Sequence, residues 1–295
     1  MKHIIYSTLL AIASACLCAC SSESDAPQPA GASSTPMTFR VSYPGGTRAT
    51  ETAFEEGDRI GLYVGVDTMQ LEPGGNLVNN EALTLHYGTW AAAKPLYWSD
   101  GTYNAYTYYP FMSGITSVEE QPFSVSLDQN TPEQDGNLSG YEASDLLFAS
   151  AKGLKASAEP INLQFRHIMS KLTIRLIKGE DYEGEMPTDA KVFVHNTVPE
   201  ATIDLTGGTA TKNPRGTAKS IRAKQESDYV FSAIIVPQRI DSRTQLVEVL
   251  MDGISYTFES RFTFKPGTEH LVNLVISDNP VKSTIEISSN LEGWN

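Results

Sequence analysis

Ile161-Asn-Leu-Gln-Phe-Arg-His-Ile-Met-Ser-Lys-Leu-Thr-Ile-Arg-Leu176 decides the fold class. Ile161, Leu163 and Phe165 share one face of an extended chain, opposite Asn162, Gln164 and Arg166. Further on, Ile168, Leu172, Ile174 and Leu176 alternate with Lys171, Thr173 and Arg175 in the other phase. Period-2 alternation is the mark of a β-strand with one buried face. A one-residue slip swaps the faces, so a phase flip inside one run predicts a bulge or a corner near His167.

The same period runs outward in both directions. Met37-Thr-Phe-Arg-Val-Ser-Tyr43 places Met37, Phe39, Val41 and Tyr43 on one face. Ile60 to Val64, Gln121 to Leu127 and Asp145 to Ala149 read as further strands. Leu96 to Trp98 and Thr102-Tyr103 flank Asp100-Gly101, and Leu246 to Met251 and Ile254 to Phe258 flank Asp252-Gly253. Both read as hairpins by their Asp-Gly turns. Val192 and Val194, Ala201 to Leu205, Tyr229 to Val236, Phe262 and Phe264, and Leu271 to Ile276 complete the series. Many short strands broken by Gly, Pro, Asp and Asn predict an all-β chain of β-sandwiches. About 260 residues exceed one ordinary core, so two tandem sandwiches are expected, 37–155 and 156–295, divided in the least strand-like stretch after Lys152.

The N-terminus reads as an export signal. Lys2 and His3 precede an apolar stretch ending at Leu17, short of the roughly 20 residues that span a bilayer. Leu17-Cys18-Ala19-Cys20 resembles a bacterial lipobox, which makes 1–19 a signal peptide and Cys20 the acylated first residue of the mature chain. More than one acyl chain gives an effectively permanent anchor in the outer membrane. Ser21 to Pro36 holds no aromatic and no aliphatic side chain larger than Ala, so 20–36 is expected to be a flexible tether. Glu23 and Asp25 read either as a solvated linker or as resembling the surface-export signal of some Bacteroidales lipoproteins.

Composition and motifs exclude much chemistry. A net charge of −13 argues against nucleic acid, which needs clustered Lys and Arg. The three cysteines, Cys16, Cys18 and Cys20, all lie in or at the end of the signal, leaving no thiol for a disulfide, metal site or nucleophile beyond it. The five histidines show no metal-binding spacing, and G-x-S-x-G, P-loop and dinucleotide fingerprints are missing. No catalytic residue, metal site or cofactor is therefore assigned, and an enzyme is not expected. The oxygen-rich loop Asp128 to Asn137 does not match Ca²⁺-loop spacing. His167, at the expected bend, reads as a structural histidine. The rings Tyr97, Trp98, Tyr103, Tyr106, Tyr108, Tyr109 and Phe111 read as sandwich core and rim, with a glycan platform or a partner interface as alternatives. Tyr108 and Tyr109 point to opposite faces, so both are core only if their strand is covered on both sides.

An ordered set of segments resembles the fimbrillin-like lipoproteins of Bacteroidales. It comprises the lipobox and tether, Gly46-Thr-Arg-Ala-Thr50, Phe54-Glu-Glu-Gly-Asp-Arg-Ile-Gly-Leu-Tyr63, Tyr97-Trp98 ahead of Tyr106-Thr-Tyr-Tyr-Pro110, Asp145 to Ala149, Leu163 to Leu172, Ile234-Ile-Val-Pro-Gln238 and Phe264-Lys-Pro-Gly267. The resemblance implies a structural or accessory subunit of surface fimbriae, exported as a lipoprotein to the cell outer membrane. It also implies cleavage after Arg48, giving a mature start at Ala49, and partnership with other subunits, its own kind or paralogues. Loss of the first strand would open an edge that templates another strand. The alternating tail from Val281 through Ile285 and Ile287 to Leu291 is the expected donor, unless it is simply the last strand of its own domain. A monomeric surface lipoprotein that binds glycans, and an unassigned host or bacterial surface ligand, stay open as alternatives.

One outcome checks the anchor. Cys20→Ala should abolish labelling by a fatty-acid analogue and release the protein from membranes; unchanged labelling would refute it.

Overall fold

The computed structural model describes residues 32–44, 53–288 and 292–294. Among them every regular element is a strand, apart from two short 3₁₀ turns, Glu142–Ser144 and Pro280–Lys282. The chain builds two tandem β-sandwiches.

The first is organised on a six-stranded sheet. Its spatial order is Arg166–His167, Leu147–Leu154, Tyr103–Tyr109, Arg59–Val66, Val78–His86 and Thr89–Ala92. Two ladders face it. Ala32–Pro36 pairs antiparallel with Tyr97–Ser99, and Phe39–Ser42 pairs parallel with Ile161–Gln164. Between these layers lie Met37, Ile60, Leu62, Val64, Trp98, Tyr103, Ala105, Tyr109, Ile161, Leu163 and Phe165.

The second sandwich sets a six-stranded sheet against a four-stranded one. Ser170–Lys178 is central in the first, between Val230–Ile235 (antiparallel) and Thr268–Ile276 (parallel). Lys224–Ser227 continues it on one side, Thr284–Ile287 and Glu292–Gly293 on the other. The opposing sheet runs Lys219–Arg222, Lys191–Thr197, Gln238–Met251, Ile254–Phe264. Leu172, Ile174, Leu176, Phe231, Val272 and Leu274 fill the core together with Val192, Val194, Val247, Val249, Phe258 and Phe264. At the tip of the last hairpin, Asp252 (φ 49°) and Gly253 (φ 73°) supply the two left-handed residues that a type I′ turn requires.

The phase flip is the passage from one core to the other. Phe165 belongs to the first core, Ile168 and Met169 to the second, so the side chains change face because their core changes. Ile161–Gln164, which follows the expected division after 155, pairs within the first sandwich. The stretch 115–130 goes the other way: Gln121–Ser124 pairs with Glu200–Asp204, and the buried Gln129 side chain bonds both main-chain groups of Ile234.

Three local expectations are corrected. Ala32–Pro36, inside the expected tether, is a strand, because main-chain pairing needs no apolar side chain. Asp100-Gly101 does not close a hairpin: Tyr97–Ser99 pairs with Ala32–Pro36, while Tyr103–Tyr109 joins the large sheet. The turn chemistry is local, but it cannot say which sheet the next strand enters. Finally, Lys171 and Thr173, expected on an exposed face, are buried. A parallel-paired central strand is covered on both faces, and Thr173 Oγ1 donates to Glu269 Oε1 at 2.6 Å.

That burial sets the ranking of three substitutions. Ile174→Asp places an unpaired charge in a fully buried site and should cost about 4 kcal/mol or more. Thr173→Asp opposes a second carboxylate to Glu269 and should cost about 2 kcal/mol. Arg175→Ala, exposed in the same strand, should stay within about 0.5 kcal/mol. Urea denaturation reads all three, and a Thr173→Asp variant as stable as Arg175→Ala would refute the two-sided burial.

Candidate functional site: two end strands and the junction between them

Both ends of the described chain lie on sheet edges. The N-terminal segment is held by main-chain bonds on two ladders: Met37 N–H donates to Leu96 O (2.8 Å), Ile161 N–H to Thr38 O (2.8 Å), and Phe165 N–H to Ser42 O (3.0 Å). Met37 is buried, and Phe39, Val41 and Tyr43 pack on the first core. Phe54 closes this end as the hub of an aromatic box. Tyr43, Trp90, Tyr109 and Phe165 all meet it edge-on with centroids 5.1–5.4 Å away. Beneath, the Tyr109 hydroxyl donates to Asp58 Oδ1 (3.0 Å), and burial pushes the Asp58 carboxyl above its ordinary range.

The C-terminal tail lies along the open edge of Thr268–Ile276. Asn279 caps the turn Pro280–Lys282, and Thr284–Ile287 then pairs with Val272–Val275. Ser288 N–H donates to Leu271 O (3.0 Å), and Trp294 N–H to Gly267 O (3.1 Å). Apolar burial is thin. Ile285 is half-buried on the second core, Ile287 is 46 % exposed, and Val281 sits in the turn at 92 % exposure. Of the expected donor residues, the strand therefore includes Ile285 and Ile287 but not Val281. Leu291, with Cys20, Arg48 and Ala49, lies outside the described residues.

The junction holds a buried pair, His167 at the end of its short strand and Asp145 between the turn Glu142–Ser144 and the strand Leu147–Leu154. His167 Nδ1 lies 2.9 Å from Asp145 Oδ1, both groups buried. The Trp294 ring stacks on His167. Sequence reading assigned His167 a structural role at the bend but passed over Trp294; a bulky ring near the end of a mostly polar tail was the available signal.

The aromatic cluster is largely interior. Trp98, Tyr103 and Tyr109 face the first core, while Tyr108 faces the other side against the second cluster. Their strand is covered on both sides, as two inward neighbours require. Tyr97 alone of the seven is exposed, at 50 %. In the acidic loop Asp128 is engaged by the protein, accepting from Asn130 N–H and from Arg222. His195 lies between Ser220 Oγ (2.6 Å) and Glu248 Oε2 (2.9 Å). This is a polar ladder across three neighbouring strands, extended by Ser255 to Glu248. No group of three or more metal-ligating side chains gathers among the described residues.

Two β-sandwiches with edge strands at both ends define the chain as an all-β protein of tandem sandwiches. The fimbrillin-like family model matches residues 47–294, and the chain belongs to that family. It is thus a fimbrial subunit of the cell surface, built to assemble with other fimbrial subunits, and not an enzyme. Its fold is similar to that of a candidate cell adhesion protein from Bacteroides ovatus (TM-score 0.69, 19 % identity, 88 % of this chain and 98 % of that one). A second, from Bacteroides uniformis, gives a TM-score of 0.66 at 21 % identity over 91 % and 100 % of the two chains. A fimbrial protein from Bacteroides vulgatus gives 0.50 at 15 % identity over 88 % and 100 %. No curated protein sequence matches the chain.

One buried group beside the tail gives the sandwich a pH dependence. His270 Nε2 accepts from Lys265 N–H (3.1 Å), and burial, then the Lys265 charge, hold the imidazole below its ordinary value near 6.5. The unfolded chain therefore binds this proton more readily. The contribution is fully present above pH 6.5 and is lost as pH falls below it. Melting temperature should drop between pH 7 and 5.5, and His270→Gln should flatten that slope; an unchanged slope would refute the assignment.

Proposed function

We propose that this fimbrial subunit polymerises by strand exchange after lipoprotein export through Cys20 and cleavage between Arg48 and Ala49. The observation that carries the reading is how the C-terminal strand is held. It is bound by main-chain hydrogen bonds along an edge, with Ile285 and Trp294 as its only described side chains packed on a core. A strand with so little apolar burial is cheap to detach and keeps its bonding capacity for another edge.

The acceptor would be the first sandwich without its N-terminal segment. Losing the chain up to Arg48 removes Phe39–Ser42 from Ile161–Gln164 and Ala32–Pro36 from Tyr97–Ser99. It vacates the places of Met37, Phe39, Val41 and Tyr43 on the first core. An incoming strand gains the same main-chain bonds, and alternate side chains refill the pockets. Membrane attachment before assembly would keep subunits at the surface where they meet.

Deleting residues 281–295 should leave both cores folded and remove any oligomer ladder from unboiled detergent gels. Ile285→Asp combined with Ile287→Asp should do the same, since each charge would have to enter an apolar pocket. N-terminal sequencing of assembled material should begin at Ala49. Oligomers that persist without the tail, or assembled chains that read through Arg48, would overturn the corresponding step.

A further inference from the structure

His167 is 4 % exposed, and what covers it comes from both ends of the chain. Trp294 lies flat on the imidazole, with centroids 3.6 Å apart and planes 10° from parallel. Tyr43 meets the same ring edge-on at 5.9 Å and 79°. Asp145 fixes the ring through Nδ1, and Lys171 Nζ stands 5.8 Å from the Trp294 ring. Tyr43 is the last ring that the N-terminal segment contributes to the first core, and Trp294 is the last described residue of the tail, anchored to Gly267. One histidine thus touches both segments, each lying on an edge of a different sandwich.

We infer that His167 is a latch coupling the two ends: the N-terminal segment, while in place, completes the seat of Trp294 and holds the tail shut. The purpose of the latch rests on the strand-exchange reading, but the coupling is a property of the single chain. Tyr43, edge-on at 5.9 Å, is part of what keeps the imidazole dry and limits the space in which it can move. A stacked pair is strongest when both rings are dry and fixed in orientation. Remove Tyr43 and the ring gains water and freedom, so the Trp294 stack weakens. Aromatic pairs of this kind are worth about two- to tenfold in an equilibrium constant. That factor is the expected coupling between loss of the first strand and opening of the tail. In an assembling subunit it orders the steps: a chain that cannot yet accept a strand keeps its own donor strand closed.

The test is amide hydrogen exchange at Thr284–Ile287 in the monomeric full chain. Trp294→Ala should speed exchange there, and Tyr43→Leu should speed it about two- to tenfold. The double variant should exchange no faster than Trp294→Ala alone, because both act through one contact. Simple multiplication of the two effects, or no effect of Tyr43→Leu, would overturn the latch. Phe39→Leu, four residues earlier on the same face, separates coupling from general loosening. It should leave the tail at the wild-type rate, and a matching acceleration would also overturn the inference. Ladder formation by the cleaved forms reports on strand exchange separately. Coupled opening without a ladder keeps the latch and sinks the exchange; a ladder from chains with uncoupled ends does the reverse.

Discussion

Between Phe165 and Ile168 the backbone leaves one hydrophobic core and enters another, and it must do so without exposing either. The buried contact of His167 with Asp145 makes this crossing tolerable. Asp145 leads back into the first sheet after the excursion in which Gln121–Ser124 pairs with the second half, and His167 is the last residue of that sheet. Their 2.9 Å contact gives each a polar partner where water is excluded. Leaving one buried member of such a hydrogen-bonded pair without its partner typically costs about 1–3 kcal/mol. Arg166 supports the same point from the other face: its guanidinium donates to Gly207 O and Gly208 O and lies 5.4 Å from the Phe148 ring centroid. Gly208 has φ 62°, and a Cβ there would collide with Phe148, so the turn after Glu200–Asp204 approaches the first sheet as closely as only glycine permits. Two cores are thereby locked into one body by residues that belong fully to neither.

Given that lock, the edges become the free parameters of the molecule. A closed barrel has none; a pair of sandwiches has several, and each must be covered or kept short. The sheet centres here are deeply built, with Ile174, Val194 and Val247 fully buried. The C-terminal segment is instead attached by backbone pairing with few apolar anchors, while the N-terminal one adds Met37, Phe39, Val41 and Tyr43 to its backbone bonds. That contrast matches a subunit whose interior must survive assembly while its ends change partners. Local stability is expected to follow it, lowest where hydrogen bonds are exposed and apolar contacts few.

Much of this was legible in the sequence, and the failures have physical causes. Alternation located the core strands, and the flip at His167 announced the crossing, since period 2 is a local property of an extended chain. Pairing partners are not local. Nothing in Gln121 to Ser124 says that its neighbour is Glu200–Asp204, and nothing in Asp100-Gly101 says that the flanking strands part company. Lys171 and Thr173 looked solvent-facing because their types are polar. The parallel neighbour, Glu269 and the tail's Trp294 cover them, and all three arrive from about a hundred residues away. The site was readable in outline: the two end strands could be named from their patterns, but not the histidine that touches both.

The tail also explains why its own pattern is a poor guide to its packing. Val281, Ile285, Ile287 and Leu291 fall on one face by sequence spacing, which for a resident strand should mean a buried row. Instead Val281 projects from a turn and Ile287 stays nearly half exposed. Consistency between pattern and burial is the usual sign of a sequence fitted to its place, and a local conflict marks either strain or function. The incomplete cover of Val281 and Ile287 is the conflict that the proposed strand exchange would resolve, by giving those side chains another surface. Under the proposed strand exchange, the edge of Thr268–Ile276 would serve as a resting place, with backbone bonds to keep the strand ordered and little apolar burial to hold it.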